Sequence, residues 1–134
     1  RDRFWESHMI PFSRRTEEQL NHWASKNEIT LEDDDNDATL ANKARDLRNE
    51  GRYYAVNLRN DNTIEFRLFR GTLKASTFNA TLQFVDTLCR FAKGLNINDI
   101  NKTTWEDIFR DVDYPDLIDY LTKRTTFHRQ QEAA

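Results

Sequence analysis

A hairpin pattern in the middle of the chain constrains its fold more than any other feature. Residues 51 to 72 read GRYYAVNLRNDNTIEFRLFRGT, two arms in which apolar and polar residues alternate around a polar centre. Such alternation indicates antiparallel strands with one apolar face. Burial of that face fixes the register, because a slip of one residue would place Val56 beside Glu65. We therefore expect Val56 to pair with Phe66.

The same register pairs Leu58 with Ile64 and leaves residues 60 to 62 as the loop of the hairpin. Asn62 can take the left-handed backbone conformation that such a short loop needs. We expect the apolar arm residues, Ile64 among them, to be buried.

The other face of the hairpin is polar. In the predicted register Asn57 lies opposite Glu65, and Ala55 lies opposite Arg67. One face of two neighbouring strands thus presents an amide, a carboxylate and a guanidinium, and the small Ala55 leaves space for a ligand.

Helices are predicted upstream of the hairpin. A short apolar stripe in RFWESHMI should end or kink at Pro11, and SRRTEEQLNHWASK should follow as a helix with Leu20 and Trp23 facing inward. DATLANKARDLRNEG is predicted to be a helix capped by Asp37 and stopped at Gly51.

Helices are also predicted downstream. One should begin near Ser76, end at Gly94 and cover the apolar face of the hairpin. Its inward residues are predicted from steps of three and four along the sequence: Phe78, Leu82, Val85, Cys89 and Ala92. NKTTWEDIFRDV carries a capping-box spacing from Thr103 to Glu106, and DYPDLIDYLTKR places Pro115 in a first turn. We expect Trp105, Ile108, Phe109, Leu117, Ile118 and Leu121 to face inward.

These elements predict an α+β fold, an antiparallel hairpin or small curved sheet covered by several helices. The length of 134 residues fits one domain, predicted over residues 1–124, with a frayed tail at 125–134. The first residues carry no initiator Met, so we expect a piece of a larger protein.

Composition limits the classes of partner. A net charge of -3 without a continuous basic stripe argues against nucleic acid, and no apolar run approaches the length of a membrane span. The single cysteine, Cys89, lies in an apolar helical pattern, which favours a reducing compartment. We expect a cytoplasmic protein, and an oligomer stays open.

Several kinds of catalytic site lack support in the sequence. His8, His22 and His128 lie in separate segments without metal-ligand spacing, and no glycine-rich phosphate loop or nucleophile elbow occurs. LEDDDNDA resembles a calcium loop in composition but lacks its glycine and its distal glutamate, so a solvated loop is favoured.

The strongest candidate site is therefore Glu65 with Arg67, supported by Arg52, Asn57 and Arg70. A carboxylate suits Mg²⁺ and guanidinium groups suit phosphate, so this face could bind a metal nucleotide. The alternative is a surface ion pair across the strands, which is common and stabilises little.

A family resemblance supports the first reading. RYYAVNLRNDNTIEFRLFRGTL, followed by STFNATLQFVDTLCRFA, resembles the C-terminal part of the amidoligase family, whose members are similar to glutamine synthetase in fold. The matching elements are Arg52 with an aromatic, Asn57 with Leu58, residues 63–67 and residues 71–73.

The resemblance implies an ATP-dependent carboxylate-amine ligase. Glu65 would bind Mg²⁺, while Arg67 and Arg52, as the catalytic arginines, would stabilise the γ-phosphate or an acyl phosphate of a small-molecule or peptide substrate. Asn57 and Arg70 would assist in binding ATP. Arg14 and Arg15 also match family positions, although adjacent arginines at a helix start are most often solvent-exposed.

The resemblance also shows what this chain lacks. The family's earlier half carries further metal-binding carboxylates, which do not occur in this sequence. Because one glutamate cannot neutralise two metal ions, we expect the isolated chain to be inactive. The alternative is a noncatalytic binding or assembly module that retains the fold.

Overall fold

The computed structural model describes the backbone of residues 4–133 and the side chains of residues 4–124. It combines helices, about 55% of the chain, with a small two-stranded antiparallel sheet, as the sequence predicted. The elements of the described residues are α1 (Ile10–Ser13), α2 (Glu17–Trp23), α3 (Asp37–Asp46), β1 (Val56–Asn57), β2 (Glu65–Phe66), α4 (Ala75–Lys93), α5 (Ile97–Ile100), α6 (Trp105–Phe109) and α7 (Pro115–Ala133).

The chain divides into two compact units, each built from separate stretches of sequence. Unit 1 comprises Arg1–Arg15, Phe69–Gly94 and Thr103–Ala134, and unit 2 comprises Thr16–Leu68 and Leu95–Lys102. Since a domain can contain more than one compact unit, the predicted single domain over residues 1–124 stays a prediction. The predicted cover of the hairpin by α4 involves both units and also stays a prediction.

Unit 1 is organised around an aromatic core. Its buried members come from α1, α4, α6 and α7, namely Phe12, Ala80, Phe84, Trp105, Leu117 and Tyr120. Phe84 is 1% exposed and its ring lies 5.3 Å from that of Phe69 and 5.5 Å from that of Phe109. Contacts between rings at these separations stabilise beyond the area they bury.

The inward face of α4 differs from the sequence prediction. Phe78 and Leu82 are more than half exposed, and Ala92 is also exposed, whereas Ala80 and Phe84 are buried. Apolar residues occupy most sides of this helix, so the period of 3.6 fits more than one stripe. Phe84 and Ala80 belong to the core cluster, and of the predicted inward residues Val85, which is half-buried, packs against it.

The other helices of unit 1 follow the sequence prediction with local corrections. The predicted capping box lies one residue later, between Thr104 and Asp107, because the Thr104 hydroxyl accepts the Asp107 N–H at 3.1 Å. Pro11 lies within the first turn of α1, where a missing N–H costs no helical hydrogen bond. A π-helical turn, Trp5–Met9, precedes it.

Helix α7 begins at Pro115 as predicted and buries Leu117, but Ile118 is 45% exposed rather than inward. Its backbone extends to Ala133, through most of the range predicted to fray. Side chains beyond residue 124, including that of His128, lie outside the described residues. Within the described part of the chain, no helix has the length and apolar character needed to cross a membrane.

In unit 2, helices α2 and α3 begin at well-formed caps. Thr16 caps α2, with its hydroxyl accepting the Gln19 N–H at 3.2 Å. Asn36, not the predicted Asp37, caps α3 through its side-chain oxygen. Asp37 is free to accept the Ile97 N–H instead, at 3.0 Å.

Two further predictions for this region have opposite outcomes. Leu20 is buried as predicted, but Trp23 is 46% exposed, and its ring packs edge-on against the exposed ring of Tyr53, with centroids 5.8 Å apart. Gly51 follows the helical segment with a φ of 118°, a conformation that favours glycine.

The hairpin loop is held by an arginine rather than by a left-handed residue. Arg48 donates from Nε to the Leu58 carbonyl at 2.6 Å and from a terminal nitrogen to the Asn60 carbonyl at 2.7 Å. Asn62 does not have a positive φ, so that prediction is wrong. The strands are only two residues long, so Leu58 and Ile64 are not paired in the ladder and the connection runs over residues 58–64 rather than 60–62. A connection of this length can reverse direction without a left-handed residue.

The predicted burial of the hairpin faces is also partly wrong. Ile64 is 59% exposed, while Ala55 and Asn57, on the polar face, are 6% and 4% exposed. Asn57 tolerates burial because both ends of its amide are hydrogen-bonded: the oxygen accepts the Arg59 N–H and the nitrogen donates to Glu65.

Candidate functional site

The register of the hairpin brings the predicted polar residues onto one face. Val56 pairs with Phe66 and Asn57 pairs with Glu65, as the sequence predicted. The Arg67 N–H donates to the Ala55 carbonyl at 2.8 Å, which continues this register by one residue pair. Asn57, Glu65 and Arg67 therefore lie side by side, and we call these three residues the polar face.

A third segment, not predicted from the sequence, supports β1. The Ser25 N–H donates to the Tyr53 carbonyl at 2.8 Å, and the Ser25 carbonyl accepts the Ala55 N–H at 2.7 Å. Asn27 then uses its side-chain amide as a strand would use its backbone, accepting the Val56 N–H at 3.0 Å and donating to the Val56 carbonyl at 2.9 Å. These contacts fix β1 despite its two-residue length.

The Glu65 carboxylate has a partner at each oxygen. Oε2 accepts from Asn57 Nδ2 at 2.7 Å, and Oε1 accepts from an Arg67 terminal nitrogen at 2.9 Å. The hydrogen bond from Asn57 is the largest cause that lowers the pKa of Glu65 below its ordinary value, and the positive charge of Arg67 also lowers it, while desolvation opposes the shift. The carboxylate is therefore ionised at neutral pH, and its side chain is 45% exposed.

The guanidinium of Arg67 is positioned by two further contacts. Its Nε donates to the Trp23 carbonyl at 3.4 Å, and its central carbon lies 5.4 Å from the centre of the Tyr53 ring. The Arg52 guanidinium lies 5.3 Å from the same ring. The electron-rich face of the Tyr53 ring attracts the positive charge of both guanidinium groups.

Arg52 is exposed and lies at the margin of the polar face. A hydrogen bond with Tyr53 raises the pKa of Arg52 above its ordinary value, and its charge contributes weakly to the lowered pKa of Glu65. Four predicted site residues, Arg52, Asn57, Glu65 and Arg67, thus belong to one region of unit 2.

The fifth predicted residue, Arg70, belongs to unit 1. Its backbone N–H donates to the Ser13 carbonyl at 2.8 Å, and its own carbonyl accepts from the Arg14 guanidinium. Its predicted role in ATP binding stays a prediction.

The expectation that Arg14 and Arg15 are solvent-exposed is wrong. Both are half-buried in unit 1, where Arg14 donates to the Tyr120 hydroxyl at 3.0 Å and Arg15 donates to the Phe69 carbonyl at 3.2 Å. Arg14 takes a left-handed backbone conformation with a φ of 59°, which ends α1 and turns its side chain towards these partners. These contacts of Arg14 and Arg15 stabilise the fold of unit 1.

Tyr53 and Trp23 are members of the site that the sequence reasoning missed. Tyr53 precedes Ala55 and Asn57 at steps of two, so the alternation of the strand could have assigned it to the polar face. No signal in the sequence connects Trp23 to the hairpin, because the two lie about thirty residues apart and meet only in the folded unit.

The donor set fits a metal bound to phosphate better than a free cation. The Arg67 guanidinium, 2.9 Å from Glu65 Oε1, repels a bare metal ion but attracts the phosphate groups of a metal nucleotide. Among the described side chains, no three His, Cys, Asp or Glu residues come together as a metal site. Glu65 alone offers one of the several oxygen ligands that Mg²⁺ requires.

The acidic segment around residues 32–37 forms a local turn. Asp35 accepts the Glu32 N–H at 2.8 Å and pairs with Lys43, and the hydrogen bond from Lys43 lowers the pKa of Asp35. The segment is a loop whose other acids, at residues 32–34 and 37, are exposed as predicted, whereas the Asp35 side chain is only 7% exposed.

Comparisons with protein-family models, with curated proteins and with solved structures found no match to this chain.

Proposed function

We propose that this chain is part of an ATP-dependent carboxylate-amine ligase with a glutamine synthetase-like fold, and that the polar face binds the metal nucleotide. The observation that carries the proposal is the placement of an ionised carboxylate between an amide and a guanidinium on two paired strands. The resemblance of residues 52–73 to the amidoligase family supports the same assignment.

Each residue of the polar face has a role in this proposal. Glu65 supplies one oxygen ligand to Mg²⁺, and Asn57 holds that carboxylate in position through the 2.7 Å hydrogen bond. Arg67 exchanges its contact with Glu65 for one with a phosphate oxygen. Arg52, which lies beside the same Tyr53 ring, adds a second positive charge near the phosphates.

The chemistry follows from charge. Bound Mg·ATP would supply the phosphoryl group that activates a carboxylate for attack by an amine. Fixed guanidinium groups stabilise charge on the transferred phosphoryl group because they are oriented before the reaction begins. The Tyr53 ring and the Trp23 carbonyl orient the guanidinium of Arg67 in this way.

Calorimetric titration of ATP, with and without Mg²⁺, tests the proposal. Wild-type protein is expected to bind Mg·ATP at least tenfold more tightly than metal-free ATP. Glu65→Gln keeps the shape of the side chain but loses its charge, so it should bind both forms alike. Arg67→Met should weaken both forms, because it removes the contact with phosphate.

Asp86→Asn provides the matched control, since Asp86 also pairs with an arginine, Arg90, but lies in unit 1. The control should bind Mg·ATP as the wild type does. Absence of metal-dependent binding in the wild type, or unchanged metal dependence in Glu65→Gln, would contradict the proposal.

A noncatalytic binding or assembly module is the second candidate function. It is favoured by one observation: both oxygens of Glu65 already have protein partners, so the polar face satisfies itself without a ligand. In that case Glu65→Gln would change the stability of unit 2 while Mg·ATP fails to bind to any variant.

A further inference from the structure

Unit 1 contains a groove whose lining residues are distant in sequence from the polar face and differ from it in composition. It has a volume of about 800 Å³ and is lined by the C-terminal half of α4 and by residues 107–114, which lead from α6 to α7. Grooves of this size are large enough to hold several side chains of a partner.

The rim of the groove carries an excess of negative charge. Asp86 accepts from Arg90 Nε at 2.9 Å, and Asp107 pairs with Arg110, so these two acids are neutralised within the protein. The remaining rim acids, Asp111 and Asp113, are exposed. Neither has a charged or hydrogen-bonding partner among the described residues, so they leave two carboxylates available to a ligand.

The floor of the groove is apolar. Ile108 and Val112 are half-buried and pack against the core of unit 1. Phe91 is also half-buried but is not among the described side chains that pack against that core. An aromatic side chain on the last turn of α4 therefore lines the groove without being needed by the core.

We propose that this groove docks a basic amphipathic helix of a partner protein. The partner's apolar side chains would cover Phe91, Ile108 and Val112, and its lysine or arginine residues would pair with Asp111 and Asp113. A purely apolar helix would leave the two carboxylates without partners, and a linear polyamine would leave the apolar floor uncovered. Charge complementarity and the apolar floor together thus favour one class of occupant.

The dimensions of the groove agree with this mode of binding. Residues 86–91 of α4 rise by roughly 7.5 Å at 1.5 Å per residue, slightly more than the roughly 6 Å between two apolar side chains four residues apart on a docked helix, so this wall of the groove is long enough to contact such a pair. An interface of this extent is small, so we expect binding in the micromolar range.

Fluorescence anisotropy with a labelled fourteen-residue helical peptide tests the proposal. The probe carries leucines at positions four apart on one face and arginines beside them, and a matched probe carries glutamates in place of the arginines. The basic probe is expected to bind the full chain saturably, and the acidic probe is expected not to bind.

Two pairs of substitutions separate docking from general attraction between opposite charges. Asp111→Asn with Asp113→Asn should weaken the basic probe at least tenfold. Asp33→Asn with Asp34→Asn makes the same change in net charge at exposed positions of unit 2 and should alter binding less than twofold. Phe91→Ser should also weaken binding at least fivefold.

Three results would overturn the proposal: no saturable binding of the basic probe, equal weakening by the two asparagine pairs, or displacement of the probe by spermine at an affinity equal to its own. Because the asparagine substitutions preserve side-chain shape, the comparison remains valid even if Phe91→Ser fails to fold.

Discussion

The two compact units are stabilised by different interactions. Unit 1 contains a continuous cluster of aromatic and aliphatic side chains, with Phe84 in contact with four other rings. In unit 2, backbone hydrogen bonds from Ser25 and side-chain hydrogen bonds from Asn27 hold β1 and the residues before it, and the side chain of Arg48 holds the hairpin loop. Apolar packing tolerates small shifts of its members, whereas a hydrogen bond fixes the distance and direction between two atoms.

This difference suggests why the polar face lies on the less apolar unit. A carboxylate and a guanidinium that must keep a defined geometry benefit from neighbours that are fixed by directional bonds. The stability of unit 1 should therefore respond to the size of its side chains, and the geometry of unit 2 to the loss of single polar groups.

The largest effect is expected for Phe84→Ala. Removal of a fully buried ring leaves a cavity, so the free energy of unfolding should fall by about 3 to 5 kcal/mol. Urea denaturation followed by circular dichroism measures this change. Phe78→Ala, on the exposed side of the same helix, should cost less than about 0.5 kcal/mol. Similar losses for both would show that the core of unit 1 is placed incorrectly.

An intermediate effect is expected for Arg48→Met. The substitution keeps much of the aliphatic stem but leaves the Leu58 and Asn60 carbonyls without their charged donor, which should cost about 1 to 3 kcal/mol. Arg45→Met is the control, because Arg45 is exposed and, among the described residues, its side chain hydrogen-bonds only to the Asn42 side-chain oxygen, at a long 3.4 Å. Equal denaturation midpoints for the two variants would argue against a polar origin of stability in unit 2.

The smallest effect concerns pH. Because folding lowers the pKa of Glu65, this group stabilises the protein above its unfolded pKa, and that contribution is lost as the pH falls through the lower, folded pKa. Asn57→Ala removes the largest cause of the shift and should raise the pKa of Glu65 towards its ordinary value. For a side chain this exposed, the contribution should stay below about 1 kcal/mol.

Carbon-13 titration of the carboxyl resonances measures this change and contains its own control. In unit 1, hydrogen bonds from Arg90 and Tyr114 lower the pKa of Asp86, and Asn57→Ala should leave that pKa unchanged. A lowered pKa that persists for Glu65 in Asn57→Ala would show that the neighbouring arginines, and not Asn57, are responsible.

Much of the local structure could be predicted from the sequence. The register of Val56 with Phe66 agrees with the alternation, since a slip of one residue would place Glu65 beside the apolar Val56. The end of α4 before Gly94 and the start of α7 at Pro115 follow from the preferences of glycine and proline at helix ends.

The inward face of α4 could not be predicted, for a physical reason. Phe78 and Leu82 form one apolar stripe and Ala80 and Phe84 belong to another, and periodicity does not decide which of them finds a partner. That choice depends on contacts with residues distant in sequence, such as Leu117 of α7.

The three residues of the polar face were predicted from the sequence, but the residues that surround them were missed. Asn57, Glu65 and Arg67 follow directly from strand alternation. Trp23 depends on the folding of α2 against the hairpin within unit 2, and the half-buried contacts of Arg14 depend on a left-handed residue that a non-glycine sequence does not indicate.

The central claim is that the polar face binds a metal nucleotide, and NMR during titration with Mg·ATP tests it most directly. The Glu65 carboxyl carbon and the Arg67 Nε resonance should shift saturably, while the Asp86 and Arg90 resonances of the ion pair in unit 1 should stay in place. Shifts of equal size at both ion pairs, or none at Glu65 and Arg67, would contradict the account.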